Sequence, residues 1–478
     1  MGKLLRFIDL DFSHFDSNID LVILFFIGLL LWIFYKTSMY LNRNIDNELL
    51  NWSLLKNRKP LILRGARQVG KSSSVKNLAK QFKYFVEINF DENAGFEELF
   101  NKNLTITEVC EQISVLTNTP IIEGETLLFL DEIQACIPAI SMLRYFYEKM
   151  PKLHVMAAGS LLEFALAELP SFAVGRVRSL YMYPLSFDEF LLAHDENKLL
   201  ETLNKASVSK PLSGLVHQKL VNYYKKFLII GGMPEAVAAY IKNNDLLEVQ
   251  RVLNDLVISI QADFAKYKNK VSSARLLEVF NAIAQQVGKK FTYSYPNATL
   301  NNLQVKEAIE LLKMAGLVYG VTHTAANGIP LGAEINTKKT KWLIFDTGIF
   351  QRILGLNIAD LLISNDFNVT NKGNIAELFV GLELIKAVDF YEKTDLYYWH
   401  REAKNSQAEL DYICQFGNLI VPIEVKAGTK GSMQSLYLFL KEKNLAQGFR
   451  LSLENFSVVN EVKILPIYAV KSLANNLY

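Results

Sequence analysis

Cysteine is scarce in this chain of 478 residues, which contains only Cys110, Cys136 and Cys414. None of the three belongs to a CxxC pair, which excludes a disulfide scaffold and a cysteine-based zinc site and suits a reducing compartment. An excess of one charge is also lacking, because 51 Lys and Arg residues stand against 49 Asp and Glu residues. The chain as a whole is therefore not a polycation that binds nucleic acid or membrane surfaces through its net charge.

Linkers rich in proline, glycine or serine are absent, as are internal repeats and low-complexity tracts. Half of the residues are hydrophobic, which is ample for buried cores. A chain of this length is expected to form roughly two to four domains.

One continuous apolar run stands out, residues 21–35, between Asp20 and Lys36. Its 15 residues are fewer than the roughly 20 that a full membrane span requires. No small-residue cleavage site follows, which argues against a removable signal peptide. Three interpretations are open: a short membrane anchor, a buried or docking helix, or a protein that in fact starts at Met39.

Short apolar segments alternate with helical segments through the first part of the chain. The segments with strand character are residues 61–63, 85–90, 126–130, 154–158 and 179–182. Strands that alternate with helices in this way predict an α/β fold with a parallel, doubly wound sheet.

The rest of the chain changes character twice. Residues 214–270 have a helical pattern, and residues 273–321 follow the order helix, turn, helix and strand that resembles a winged helix. After about residue 372, the order helix, three strands and helix predicts a separate small α/β domain. The predicted organisation is an N-terminal extension, a first α/β domain, a helical and winged-helix-like region and a C-terminal α/β domain, at residues 1–38, 39–200, 201–350 and 351–478.

The first predicted strand is followed by the complete pattern GxxxxGK[ST], which opens a helix. In such a P-loop, Gly65 and Gly70 allow backbone angles that a Cβ would resist, and loop N–H groups surround phosphate oxygens. Lys71 is expected to contact the β- and γ-phosphates, and Ser72 to offer a hydroxyl to Mg²⁺. The predicted cofactors are ATP and Mg²⁺, and the predicted nucleotide-binding residues are Gly65, Ala66, Arg67, Gln68, Val69, Gly70, Lys71, Ser72 and Ser73.

An apolar strand that ends in Asp131 and Glu132 is the second half of this pattern. Asp131 is expected to hold Mg²⁺, and Glu132 to orient or deprotonate the attacking water. Ser160, at the end of the next strand, is a candidate sensor of the γ-phosphate or, alternatively, a turn or helix-cap serine. Arg176 and Arg178 are candidate arginine fingers, acting within the chain or across a subunit interface, or else simple surface arginines.

The chain from about residue 40 onward resembles a prokaryotic family of AAA-type ATPases. The resemblance implies a C-terminal domain of unknown function with a restriction-endonuclease-like core. The family usually carries threonine where Ser72 stands, and both residues offer a hydroxyl. The segment before Met39 lies outside the resemblance. The stretches that carry it are residues 63–72 (LRGARQVGKS), 129–134 (FLDEIQ), 183–190 (YPLSFDEF), 231–236 (GGMPEA), 345–348 (FDTG) and 422–426 (PIEVK).

The C-terminal part contains the D…ExK pattern of restriction-like nucleases. Asp411 lies in one predicted strand, and Glu424 and Lys426 share one face of another. A hairpin of these strands would bring the three side chains together as a Mg²⁺ site, with Glu377 added from the preceding helix. The alternative is a partly buried ion network in a vestigial or purely binding site.

Together these patterns predict a Mg²⁺-dependent AAA-type ATPase coupled to a nuclease-like domain that acts on DNA. The alternative is a nucleotide-dependent binding or regulatory protein with an inactive nuclease-like domain. DNA or a protein is the expected partner, and a homo-oligomer is a further possibility. The predicted location is the cytoplasm, where ATP is, with contact to the inner membrane if residues 21–35 are an anchor.

Overall fold

The computed structural model describes residues 40–101, 104–168, 175–267, 271–294, 300–355, 372–402 and 408–477. The candidate anchor at residues 21–35 lies outside the described residues. Within these ranges, no helix is long and apolar enough to cross a membrane.

A parallel sheet of five strands forms the core of the first domain. The strands are β1 (Leu61–Arg64), β2 (Tyr84–Asn89), β3 (Thr126–Asp131), β4 (His154–Ala158) and β5 (Arg178–Tyr181), in the spatial order β2-β3-β4-β1-β5. Every residue of β3 and β4 is buried, because helices cover both faces of the sheet. The predicted α/β class with a parallel sheet is confirmed.

Six helices accompany this sheet in the described chain. They are α1 (Ile45–Leu54), α2 (Lys71–Ala79), α3 (Glu97–Asn101), α4 (Ile106–Thr117), α5 (Ile137–Lys149) and α6 (Leu162–Glu168). Local sequence explains some of their ends. Thr105 and Glu108 form a capping box at the start of α4, and Asn118 ends this helix in the left-handed conformation.

The middle of the chain is helical up to the sheet that follows. Its helices are α7 (Phe187–Ala193), α8 (Asn197–Asn204), α9 (Gly214–Ile230), α10 (Pro234–Asn243), α11 (Leu246–Asp263), α12 (Ser273–Gln285) and α13 (Asn302–Met314). The side chains of Ser213, Asp245, Ser272 and Asn301 each accept a backbone N–H and so mark the start of a helix. The helical character predicted for this region is confirmed.

A second, mixed sheet of eight strands lies in the C-terminal half, in the order β12-β13-β11-β10-β9-β8-β6-β7. Its strands are β6 (Val318–Thr324), β7 (Ile335–Ile344), β8 (Leu396–His400), β9 (Glu409–Phe416), β10 (Leu419–Val425), β11 (Gly448–Ser452), β12 (Ser457–Val459) and β13 (Val462–Pro466). The accompanying helices are α14 (Thr347–Ile353), α15 (Lys372–Lys386) and α16 (Gln434–Lys443).

The β6–β7 hairpin follows α12 and α13, the two helices of the winged-helix-like segment. It is antiparallel, and β6 also pairs in parallel with β8, so the hairpin extends the C-terminal sheet. The sheet therefore runs across the predicted boundary at residues 350 and 351. This continuity places β7 within reach of side chains from the C-terminal strands.

Candidate functional site

The P-loop connects β1 to α2 at the carboxyl edge of the parallel sheet. Gly65 has a φ of 142° and Gly70 has a φ of 99°, backbone angles that residues other than glycine rarely adopt. A Cβ on Gly65 would lie 2.0 Å from the carbonyl oxygen of Met182, so glycine is required there for packing as well. Gly70 is the cap residue of α2, and the backbone N–H groups in the first turn of a helix are a general site for phosphate.

The Lys71 side chain is folded into the loop that precedes it. Its Nζ donates to the carbonyl oxygens of Gly65 at 3.0 Å and Ala66 at 2.7 Å. Burial lowers the pKa of Lys71 to about 8, although the nearby carboxylates of Glu132 and Asp131 oppose the change. The ammonium group therefore lies within the anion-binding loop and loses its proton more readily than an exposed lysine.

This pKa leads to a prediction for ATP binding. We expect ATP affinity to fall by about ten-fold between pH 7.5 and pH 9, because Lys71 loses its positive charge through pH 8 and phosphate binds the charged form. Isothermal titration with a non-hydrolysable ATP analogue measures this profile. The Lys71→Arg variant keeps its charge over the range and is the control. Equal slopes for wild type and variant would contradict the assignment.

Ser72 and Asp131 meet where α2 begins and β3 ends. Ser72 Oγ donates to Asp131 Oδ2 at 2.8 Å, and Asp131 Oδ1 accepts the backbone N–H of Glu132 at 3.0 Å. Burial raises the pKa of Asp131, while the bond from Ser72 lowers it. A hydroxyl and a carboxylate at this spacing are hard oxygen donors, so these residues fit a Mg²⁺ ion that accompanies a nucleotide.

Glu132 is held by residues from two loops. It has φ of 48°, and its Oε2 accepts Gln134 Nε2 at 2.7 Å. The same oxygen lies 3.3 Å from Ser160 Oγ and 3.4 Å from the Ser160 backbone N–H. A Cβ on Gly159 would lie 2.0 Å from Gln134 Oε1, so glycine allows the close approach. The structure thus joins Ser160 to Glu132, and Gln134 is a site residue without an assigned role in the sequence analysis.

A buried ion pair contacts the P-loop at the carbonyl oxygen of Val69. Arg43 Nε lies 3.1 Å from Glu189 Oε1, and Arg43 also donates to the carbonyl oxygens of Val69 at 2.8 Å and Tyr183 at 2.7 Å. Glu189 accepts the backbone N–H groups of Asn44 and Ser186 at 2.7 and 2.8 Å. Burial raises the pKa of Glu189, but Arg43 and these N–H groups lower it to a net value below the usual range.

Replacing Glu189 by alanine tests this support. We expect the free energy of unfolding to fall by about 3–5 kcal/mol, because the Arg43 charge would stay buried without its partner. Urea unfolding followed by circular dichroism measures the change. The matched control is Glu248→Ala, which removes an exposed pair with Arg251 at 2.9 Å and should cost less than about 1 kcal/mol. Equal costs for the two variants would refute a structural role for the buried pair.

Arg67 links the P-loop to the helical region. Its guanidinium forms an ion pair with Asp263, the last residue of α11. Arg64, at the end of β1, pairs with Glu163 at 3.0 Å on the other side of the loop. Both arginines tie the loop to elements that follow it far along the chain.

The candidate arginine fingers lie away from this loop in the described chain. Arg178 is at the start of β5 and is paired in register with Leu61, so it occupies the sheet edge opposite to the P-loop. Its guanidinium lies 5.2 Å from the ring centre of Tyr391. Arg176 is half exposed and pairs with Glu148 at 3.3 Å. A finger that acts across a subunit interface stays a prediction for these two residues.

Two stretches of the family resemblance pack on each other near the domain junction. Asp346 accepts the backbone N–H of Gly232 at 2.7 Å and that of Ile349 at 3.0 Å. A Cβ on Gly231 would lie 2.3 Å from Asp346 Oδ1. Burial raises the pKa of Asp346, and its backbone donors oppose the change. These contacts assign a structural role to residues 231–236 and 345–348.

The C-terminal residues of the D…ExK pattern also come together. β9 and β10 form an antiparallel hairpin, as the sequence pattern requires, with Tyr412 opposite Ile423. Asp411 Oδ2 accepts the backbone N–H of Val425 at 2.7 Å, and Glu424 pairs with Lys426. Among the residues that the structure describes, however, no group of three or more His, Cys, Asp or Glu side chains is arranged to hold a metal ion.

A buried lysine from β7, which no sequence motif includes, enters this cluster. Lys341 Nζ lies 2.9 Å from Glu377 Oε1 and 2.6 Å from Glu409 Oε1. Burial lowers the pKa of Lys341, but Glu377, Asp411 and Glu409 raise it to a net value above the usual range. Burial raises the pKa values of Glu377 and Glu424 to about 7, and that of Asp411 also rises.

Comparison with family models divides the chain into three consecutive matches. Residues 57–191 match an AAA domain, residues 221–360 a domain of unknown function (DUF8612) and residues 372–470 another domain of unknown function (DUF4143). The chain therefore carries an AAA-type P-loop ATPase domain, as the sequence predicts. The restriction-endonuclease-like character of the C-terminal part stays a prediction.

No curated protein matches the chain. Among solved structures, it is similar to a Walker-type ATPase of Pyrococcus abyssi, with 15% identity, TM-score 0.43 and coverage of 66% of this chain and 96% of that one. It is also similar to the ORC1 protein of Aeropyrum pernix in complex with DNA, with 11% identity, TM-score 0.29 and coverage of 68% and 95%. Likenesses this distant carry no information about partners.

Proposed function

We propose that this protein binds ATP with Mg²⁺ and hydrolyses it, and that the nucleotide state controls a C-terminal binding domain. One observation carries the proposal: the hydrogen bond of 2.8 Å between Ser72 and Asp131. This contact places the hydroxyl of the P-loop and the carboxylate of β3 at one point. Lys71 precedes Ser72 in the chain, and the backbone N–H of Glu132 donates to Asp131, so the groups for phosphate binding and water activation come from the two residues next to this bond.

Each residue has a distinct proposed part in hydrolysis. Lys71 neutralises charge on the β- and γ-phosphates, and Ser72 and Asp131 supply oxygen donors for the metal. A bound Mg²⁺ ion would offset charge that develops on the phosphate oxygens. Glu132 orients the attacking water and accepts its proton. Ser160 and Gln134 are positioning residues, because both donate to the Glu132 carboxylate.

Contacts around the P-loop support coupling between the ATPase domain and the rest of the chain. Gly316, in the turn between α13 and β6, packs so closely that a Cβ there would lie 3.1 Å from the Ala66 backbone nitrogen. The rings of Tyr183 and Tyr319 lie 5.9 Å apart. Since Arg67 also binds Asp263, a change in loop conformation on nucleotide binding would act on both α11 and β6.

A pocket beside the P-loop lies between the ATPase domain and the region that follows it in the chain. It is lined by residues from the ATPase domain, including Gly65 and Ser160, and from the following region, including Lys313 and Tyr319. Lys393, from the segment before β8, completes its basic side. Because both regions line one pocket, a movement of the P-loop on nucleotide binding would change how they pack, as a switch requires.

For the C-terminal domain we propose binding of DNA or protein without cleavage. The competing function is a Mg²⁺-dependent nuclease, which is favoured by the convergence of Asp411, Glu424 and Lys426 on one hairpin. Binding is favoured because the carboxylates already have lysine and backbone partners. A gel-shift titration with double- and single-stranded DNA, with and without ATP, distinguishes a DNA ligand from a protein ligand.

This choice leads to a prediction for DNA cleavage. We expect no cleavage of linear, circular or single-stranded DNA by the purified protein with ATP and either Mg²⁺ or Mn²⁺. Gel analysis of products over time is the measurement. Cleavage by wild type that disappears in Glu424→Ala would establish the nuclease instead. Cleavage that persists in that variant comes from another source and leaves the binding proposal standing.

A further inference from the structure

Four carboxylates and two lysines form a partly buried cluster in the C-terminal sheet, here called the carboxylate cluster. Its acidic members come from one helix and two strands, and its lysines from β7 and the end of β10. The residues are Glu377, Glu409, Asp411, Glu424, Lys341 and Lys426. The cluster contains every residue of the D…ExK pattern, with Lys341 and Glu409 added by the fold.

Lys341 is the buried cation of the cluster. Its side chain is 1% exposed, and its Nζ is within hydrogen-bond distance of both Glu377 Oε1 and Glu409 Oε1, at 2.9 and 2.6 Å. The face of the Tyr398 ring lies 5.0 Å from the same nitrogen. The ammonium charge also acts on Asp411 and Glu424. A single buried cation thus pairs directly with two of the four carboxylates and lowers the pKa values of the other two through its charge.

The other carboxylate oxygens of the cluster are not arranged as ligands of a divalent cation. Glu424 Oε1 is paired with Lys426, and Asp411 Oδ2 accepts the Val425 N–H. Glu424 Oε2 is buried and has no donor among the described groups. Among the residues that the structure describes, no three of these carboxylates are arranged to hold a metal ion, and Mg²⁺ needs several oxygen ligands at about 2.0–2.1 Å. A doubly charged ion would also lie beside the fixed charge of Lys341, and the two would repel.

We propose that Lys341 is a built-in cation that replaces the metal ion of the D…ExK pattern. The carboxylate cluster then holds the β7 strand and the α15 helix on the β9–β10 hairpin without any divalent cation. The proposal deepens the proposed binding function of the C-terminal domain and rests on it, but it is independent of ATP hydrolysis. It also gives the β6–β7 hairpin a structural role in this sheet, because β7 carries Lys341.

The proposal predicts that the cluster becomes a metal site once the charge of Lys341 is removed. Lys341→Met keeps the length of the side chain but leaves Glu377 and Glu409 without the buried ammonium group. Carboxylate oxygens freed in this way are ligands that Mn²⁺ and Mg²⁺ bind. Lys341→Arg keeps the charge and serves as the matched control.

The experiment measures Mn²⁺ binding by electron paramagnetic resonance of the free ion, on the full chain without nucleotide. All proteins carry Asp131→Asn, which removes the candidate metal ligand of the P-loop. We expect no saturable site in the parent or in Lys341→Arg. We expect about one Mn²⁺ per chain in Lys341→Met, with a Kd at least about ten-fold below the highest Mn²⁺ concentration tested, and the loss of this site on adding Glu424→Gln.

Two results would overturn the proposal. The first is a saturable Mn²⁺ site in the parent protein that disappears in Asp411→Asn or Glu424→Gln. The second is a folded Lys341→Met protein that binds no Mn²⁺. If Lys341→Met does not fold, thermal unfolding of the parent with and without Mn²⁺ decides the question. A concentration of about 5 mM is above the dissociation constants of roughly 10⁻⁴–10⁻³ M of weak divalent-cation sites. An unchanged midpoint supports the built-in cation, and a rise that Glu424→Gln abolishes refutes it.

Discussion

Replacing Lys71 by alanine is expected to lower ATP turnover by about 10²–10³-fold or more, because the variant loses the charge that faces the transferred phosphoryl group. The lysine is buried, and its Nζ lies on the carbonyl oxygens of Gly65 and Ala66, inside the loop that would surround phosphate. Phosphate release from ATP and Mg²⁺, measured at saturating substrate, gives the change directly.

The same variant is expected to remain folded. Burial already disfavours the charged form of Lys71, as its pKa of about 8 indicates, so its removal relieves a cost as well as removing two hydrogen bonds. Circular dichroism and the unfolding midpoint provide the control. Turnover in the folded variant equal to that of wild type would refute the assignment of the P-loop as the hydrolytic site.

Replacing Glu132 by glutamine is expected to separate binding from hydrolysis. The amide has nearly the shape of the carboxylate but cannot accept a proton from water, so turnover should fall by about 10²–10⁴-fold. ATP affinity should change by less than about three-fold, since Lys71, Ser72 and Asp131 remain in place. Phosphate release and titration with ATP, on one preparation, measure the two quantities.

A second variant tests whether hydrolysis depends on how the Glu132 carboxylate is oriented by its hydrogen bonds. Ser160 Oγ lies 3.3 Å from Glu132 Oε2, so Ser160→Ala removes one of the donors that hold the carboxylate. Turnover in Ser160→Ala should fall less than in Glu132→Gln, with ATP affinity retained. If Glu132→Gln instead loses ATP binding and keeps its turnover rate at saturation, the proposed role of Glu132 is wrong.

Much of the first domain could be predicted because its signals are contiguous in sequence. The apolar run at residues 126–130 places Asp131 at the end of a strand, and the P-loop pattern places Ser72 at the start of a helix. In a parallel sheet the carboxyl ends of strands share one edge, so the contact between the two residues follows from topology. The hairpin of β9 and β10 follows likewise from two short alternating strands.

The contacts that could not be predicted join residues far apart in the chain. Arg43 and Glu189 are 146 positions apart, and no local pattern shows that one arginine would contact both Glu189 and the P-loop carbonyl of Val69. Lys341 is 36 positions from Glu377, in the predicted helical and winged-helix-like region and not in the predicted C-terminal domain. The pairings of β7 with β6, of β6 with β8 and of β8 with β9 bring Lys341 into the same sheet as the D…ExK residues.

These missed contacts change the interpretation of the C-terminal pattern. From sequence, Asp411, Glu424 and Lys426 match a metal-dependent nuclease as well as an ion network. The buried ammonium group of Lys341, bound to Glu377 and Glu409, favours the ion network. A short motif therefore identified the right residues for a cluster, while the chemistry of the cluster depends on a residue outside the motif.

The most direct test of the central claim is the number of ATP molecules that each wild-type chain hydrolyses. Phosphate release should be followed with ATP in large excess over protein, in the presence of Mg²⁺, beside a measurement of bound nucleotide. Our account predicts many turnovers per chain, with release that stops when Mg²⁺ is chelated. Tight binding of ATP with no turnover beyond one per chain would contradict it, because ATP would then be a structural ligand of the P-loop.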